Sequence, residues 1–405
     1  MAQHKASIWW GPPKKFTSII ENRKISWLEL FYDLVYVIAI SKITHLFSAH
    51  PGLSALPMYI YLFSMIFWGW LNGSMYHDLH GSPGIRTRLM TLWQMMAVAA
   101  LIVCLSSSTE TITFRSTIAL MVLQVFISYL WWSVGIYDKA HRVYSRYYTG
   151  CFLFATSLLF ISLFTEGETT SMLFWVALIF NFLPAFLVIT VLKQKNEDFS
   201  LSPNMVERLG LFTIIVFGEC VLGVINSITK LEHLDTGVWL NFGLGILVVF
   251  ALWWIFFSLI ADRESQGGFL NANFIQLGYI PTLGSLGIIG ASFPGLFLDF
   301  ETGIQSGAKF FFGSAMCIFL LGMLLLTYLL EYPREFHHAK GRMRQLLAVL
   351  SMVILAITFL AESISLTFYL VALFSCLLVI IVMMTRIWFT VQLKLIEKTQ
   401  AATNQ

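Results

Sequence analysis

Apolar runs of about 20 residues recur along this chain, and an α-helix needs a run of that length to cross ~30 Å of hydrocarbon. They fall near residues 27–48, 54–77, 87–107, 114–137, 143–164, 170–192, 206–228, 237–260, 273–292, 304–330, 343–361 and 366–390. Twelve such runs in 405 residues leave no room for a water-soluble domain. Composition agrees: 58% of residues are hydrophobic and 12% charged, against about 25% charged in a soluble domain. The expected fold is all-α, a polytopic bundle of about twelve transmembrane helices whose first partner is the lipid bilayer. The ninth run, rich in glycine, and the last pair, divided only by Glu362-Ser363, are the least sharply bounded.

The basic residues test this count. With the N-terminus inside, Arg115, Lys230 and Lys309 alone fall in outer loops, and Lys42 lies within a span. The remaining lysines and arginines, from Lys5, Lys14, Lys15, Arg23 and Lys24 to Lys394 and Lys398, then face the cytoplasm. A miscounted helix would scramble that alternation, so the positive-inside rule places both termini in the cytoplasm. The first span follows a basic segment without a cleavage site and reads as an uncleaved anchor. A net charge of +3, spread in short clusters, argues against a nucleic-acid-binding face. The five cysteines, Cys104, Cys151, Cys220, Cys317 and Cys376, each sit in an apolar run and read as packing residues.

Segment 193–205 is the polar divide. It separates residues 1–192, a tail and six helices, from 206–405, six helices and a second tail. Trp70-x3-Ser74-x3-Asp78 is matched by Trp254-x3-Ser258-x3-Asp262, and Leu30-Phe31 by Leu211-Phe212. Such pairs are compatible with a parallel six-plus-six repeat, and also with chance matches between apolar helices.

Ionisable groups within spans cost ~2.5–3.5 kcal/mol on insertion scales and face the protein interior. Glu29 and Asp33 lie four apart on one face of the first helix, with Tyr36 one turn further on. The seventh helix carries Glu207 and Arg208 at its entrance and Glu219 about 18 Å deeper, near the midplane. Arg208 and Glu219, eleven apart, share one helical stripe. Buried carboxylates of this kind either relay protons or lock helices together against Lys42, Arg208 or backbone donors. Asn181 with Pro184 marks a polar point mid-way along the sixth span. Gly278, Pro281, Gly284, Gly287 and Gly290 make the ninth span either broken or closely packed. Trp68, Trp70, Trp131, Trp132, Trp253 and Trp254 read as an aromatic belt. His77-Asp78-x-His80 and His337-His338 lack the further ligands of a metal site, and neither a metal nor a cofactor is expected.

Trp27-Leu28-Glu29-Leu30-Phe31-Tyr32-Asp33-Leu34-Val35-Tyr36-Val37 resembles the opening helix of the bacterial low temperature requirement A family. Glu207-Arg208-Leu209-Gly210-Leu211-Phe212-Thr213-Ile214-Ile215-Val216-Phe217-Gly218-Glu219 resembles its second hallmark segment. The resemblance covers essentially the whole chain. It implies a multi-pass protein of the bacterial plasma (inner) membrane, named for growth in the cold, and no established biochemical activity. It directs attention to Glu29, Asp33, Glu207, Arg208, Gly218 and Glu219, with Gly218 and Pro281 as structural hallmarks. Cys220 stands where the family commonly has serine, and Tyr279 where many members have histidine.

Neither a phosphate loop nor a Ser-His-Asp arrangement is present, which argues against an ATP-driven pump or a hydrolase. The leading expectation is a proton-linked secondary transporter or permease of a small solute, with Glu29, Asp33, Asn181, Glu207, Arg208 and Glu219 in its polar path. The alternative is a non-transporting scaffold or sensor supporting growth in the cold. No catalytic residue is assigned: an intramembrane lipid enzyme would have only Cys220, beside Glu219, as an adjacent nucleophile. An oligomer is compatible with either expectation.

Overall fold

The structure is a computed structural model describing residues 12–14, 24–82, 84–106, 112–139, 141–195, 201–229, 231, 233–261, 263–303, 306–332 and 337–403, with side chains at 190–195, 337–338 and 391–403 excepted. Lys5, Lys15, Arg23, Lys230, Asp262 and Arg334 lie outside these residues, as do the side chains of His337 and His338. Among the described residues the fold is helical, with one isolated bridge between Ser265 and Leu330.

The helices are α1 (Trp27–Ala49), α2 (Leu56–His80), α3 (Ile85–Ser106), α4 (Ile112–Tyr137), α5 (Arg142–Ser162) and α6 (Gly167–Lys195). They continue as α7 (Pro203–Ile228), α8 (Thr236–Leu259), α9 (Phe269–Thr302), α10 (Ala308–Leu329), α11 (His337–Phe359) and α12 (Leu366–Thr403). Each coincides with one of the twelve apolar runs, and the shortest, at 21 residues, is still about 31 Å long. Among the described residues, ten are both long and apolar enough to span a bilayer. The other two, α2 and α5, reach spanning length with more polar sequences. For α2 the reason is its position: it packs on α3, α4 and α6 and buries Asn72, Ser74 and His77 beside its aromatics. A helix sheathed by protein needs no lipid-compatible surface.

Helix starts follow from local chemistry. Ser26 and Glu29 form a reciprocal cap at α1, with the Ser26 N–H donating to Glu29 Oε2 at 2.9 Å and the Glu29 N–H to Ser26 Oγ at 3.3 Å. Ser202 caps α7, accepting the Met205 N–H at 3.1 Å, while its hydroxyl donates to Asp78 Oδ2 at 2.6 Å and ties in the end of α2. Asp235 caps α8 by accepting the Val238 N–H at 2.7 Å. Between α11 and α12 the break at Glu362-Ser363 is a single 3₁₀ turn, Ala361–Ser363.

The chain forms two compact units. The first comprises Met1–Leu46, Leu53–Phe212 and Gly267–Gln276; the second comprises Phe47–Gly52, Thr213–Gln266 and Leu277–Gln405. In the first, α3, α4, α5 and α6 pack successively, with α2 against three of them. In the second, α8 packs on α10 and α12, and α11 on both α10 and α12.

The ninth span is closely packed and not broken: α9 runs unbroken through Pro281 and Pro294 for 34 residues. Its glycines serve helix contact. A Cβ on Gly290 would stand 3.3 Å from Cys220 Cα, and one on Gly223 only 2.5 Å from the Gly290 carbonyl oxygen. Backbones approach here because both helices offer glycine at the crossing.

Candidate functional site

The first unit holds a buried charge cluster built from α1, α2 and the start of α7. Glu29, Asp33 and Arg208 are 2%, 0% and 1% exposed. One Arg208 amino group, Nη2, donates to Asp33 Oδ1, and Arg208 Nε donates to Asp33 Oδ2 at 3.4 Å. The other, Nη1, is 3.7 Å from Glu29 Oε1. The two acids belong to one helical face, as their spacing of four requires, and the arginine reaches them from a helix that begins more than 150 residues later.

Trp70 completes the cluster. Its indole N–H donates to Asp33 Oδ1 at 2.7 Å, and its ring lies 4.2 Å from that of Phe212. The guanidinium carbon is 5.9 Å from both the Trp70 and Tyr32 ring centroids. Aromatic walls thus exclude water around one cation and two carboxyls. The Tyr32 hydroxyl bonds Tyr36 Oη at 3.1 Å, Gln94 Oε1 at 3.1 Å and the Gly69 carbonyl at 3.2 Å.

Asn181 lies in a second buried network of the same unit. Its side-chain oxygen accepts from Gln124 Nε2 at 2.7 Å, and its backbone carbonyl accepts from Trp68 Nε1 at 2.9 Å. Gln124 also donates to the Phe152 carbonyl at 3.1 Å, while its own Oε1 has no partner among the described residues.

The other predicted positions stand apart. Glu207 is exposed, whereas the adjacent Arg208 is buried. In the second unit, Gly218 is exposed with no atom near enough to meet an added Cβ, and Pro281 is exposed on α9. Glu219 is half-buried, and its carboxyl has neither hydrogen bond nor ion pair among the described residues. Arg208 turns to Glu29 and Asp33. Lys42 is half-buried.

One reading of the sequence needs correction. Trp68, Trp70 and Trp131 are 1%, 0% and 5% exposed and belong to the core, so only Trp132, Trp253 and Trp254 sit outward as a belt would. Cys220 is fully buried, donating its thiol hydrogen to the Leu286 carbonyl at 3.1 Å, and is not presented as a nucleophile. The histidines of the His77-Asp78-x-His80 segment diverge: His77 Nε2 bonds Thr91 Oγ1 at 2.6 Å, and His80 Nδ1 bonds the Lys14 carbonyl at 2.9 Å. Trp70, Tyr32, Gln94 and Gln124 were missed. The two glutamines carried a usable signal, since an amide within an apolar run needs a partner just as Asn181 does.

No curated protein and no solved structure matches the chain. The family described as "Bacterial low temperature requirement A protein" matches residues 24–402, nearly the whole chain, and includes both hallmark segments. The protein belongs to the bacterial low temperature requirement A family.

Proposed function

We propose that this multi-pass protein is a proton-linked secondary transporter of a small solute in the bacterial plasma membrane, with both termini cytoplasmic. The observation that carries the reading is Glu219, a half-buried carboxyl inside a spanning helix with no partner among the described residues. A free carboxylate is costly at that depth, and binding a proton or a cation relieves the cost. The Glu29–Arg208–Asp33 cluster adds a second exchange point: two acids share one guanidinium, so the group is uncharged as a whole only with one proton bound. The asymmetry of the two places suggests separate tasks. Glu219 is open to exchange, whereas Asp33 is held on α1 by groups from α2 and α7.

A second reading, a scaffold or sensor without transport, draws on that same three-helix tie. Its completeness is what an interhelical lock requires. The test is internal pH in proteoliposomes under an imposed membrane potential, comparing the native protein with Glu219→Gln. Potential-driven proton entry that the variant loses supports transport through Glu219. Entry no faster than in empty liposomes, at every candidate solute tried, favours the scaffold.

A further inference from the structure

The second unit contains an open cavity of about 510 Å³ that neither the charge cluster nor Glu219 uses. It lies where α8 ends, between that helix, α11 and α12. Trp254, Phe257, Met343, Ile381, Met384 and Trp388 form its apolar walls. Arg263 and Tyr332, from the segments following α8 and α10, form its polar end. We propose that this cavity is a binding site for one anionic phospholipid, its phosphate at Arg263 and an acyl chain along α8 and α12.

Charge is the first argument. Two cations share one aromatic ring: the Arg263 guanidinium carbon is 5.3 Å, and Lys340 Nζ 4.9 Å, from the Tyr332 centroid. The Tyr332 hydroxyl is fixed by donating to the Leu259 carbonyl at 2.8 Å, so ring and cations are held at the mouth of the cavity. Neither cation has a carboxylate within ion-pair distance among the described residues, although Glu264 and Glu331 are neighbours in sequence and space. Both acids are exposed. Arg263 is already partly used, one amino group reaching the Ser258 carbonyl at 3.4 Å, yet its Nε is buried without a partner among the described residues. A buried guanidinium N–H left unpaired is a donor awaiting an acceptor.

Position is the second argument. The cavity straddles a helix end, with half-exposed Trp254 and Trp388 where indoles favour the headgroup region. Basic pockets between membrane helices at that level suit phosphate headgroups, and a cavity of this size suits a ligand with one polar and one apolar end. A choline headgroup would bring a third cation to Arg263 and Lys340, which disfavours zwitterionic lipid. The proposal does not rest on transport and stands under either reading of function.

The test is native mass spectrometry of the full chain released from detergent, titrated with phosphatidylglycerol or with phosphatidylcholine of the same acyl chains. One phosphatidylglycerol should bind in preference, and Arg263→Gln/Lys340→Gln should weaken it roughly tenfold, the scale of one charge-assisted hydrogen bond. Arg115→Gln, at an outer position, should leave it unchanged. Ile381→Trp leaves both cations in place and should displace the lipid by filling the groove, which separates loss of the site from loss of fold. Equal retention of the two lipids, an unchanged preference in Arg263→Gln/Lys340→Gln, or displacement by millimolar glycerol phosphate alone would each overturn the proposal.

Discussion

Arg208→Gln tests the charge cluster directly. The substitution leaves Glu29 and Asp33, 2% and 0% exposed, without their cation, while a glutamine can still donate one neutral hydrogen bond. Removing one partner of a buried ion pair costs about 3–5 kcal/mol, because the other charge stays behind. Asp33→Asn alone keeps an acceptor for the Trp70 indole and for one Arg208 amino group but removes the carboxylate charge, a loss of about 1.5–3 kcal/mol. If the groups act as one unit, the double variant is more stable than Arg208→Gln alone, because the carboxylate that the first change stranded is gone. Contacting residues couple by about 0.5–3 kcal/mol, which sets the recovery to be measured. The assay is reversible unfolding in mixed micelles, followed by tryptophan fluorescence, for all four members of the cycle. A double variant as unstable as the sum of the singles, or an Arg208→Gln cost below about 1 kcal/mol, refutes the cluster as an energetic unit.

The glycines divide into two classes. Gly223→Ala places a methyl 2.5 Å from the Gly290 carbonyl oxygen and should cost about 1–3 kcal/mol, whereas Gly218→Ala meets nothing and should change stability by less than about 1 kcal/mol; comparing their unfolding midpoints decides it. Cys220→Ser keeps a donor to the Leu286 carbonyl, so it should fold with stability within about 1.5 kcal/mol of native. In the native protein Cys220 should resist a maleimide and become labelled only on unfolding, as peptide mapping would show.

The helices were legible because the signal for each is a continuous run of 20 or so side chains, which no single residue can reverse. Even α2 was found, although its polar residues reflect burial among other helices and not contact with lipid. The cluster was half legible. The spacing of Glu29 and Asp33 put them on one face, but their partner lies 175 residues from Asp33, and a single sequence links distant helices only through guesses about charge. Helical geometry within α7 favoured a stripe from Arg208 to Glu219, since that was the only relation the sequence could measure. Trp70 was misread for a similar reason: a tryptophan in a spanning helix suits either a belt or a core, and which it joins depends on neighbours from other helices. For α9 the glycines fitted a broken or a closely packed helix alike, while Gly223, their counterpart on α7, carried no such cue alone.

The two hallmark segments place their acids in opposite circumstances, and this separates stability from transport experimentally. Asp33 is bound on two sides and fully buried, so its loss should register first in unfolding. Glu219 has no partner among the described residues and is half-buried, so Glu219→Gln removes no protein contact. Its effect on stability should stay within about ±0.5 kcal/mol, as for substitutions that break no buried interaction. If transport runs through Glu219, that same variant abolishes potential-driven proton entry while its unfolding curve overlays the native one. A lock gives the reverse: Glu219→Gln unfolds earlier by more than about 1.5 kcal/mol, the scale of a lost hydrogen bond to a charged group, while proton entry is unchanged. Measured on one preparation, the pair of readouts assigns Glu219 to exchange or to architecture, because an unpartnered carboxyl has no packing role through which to imitate a pathway.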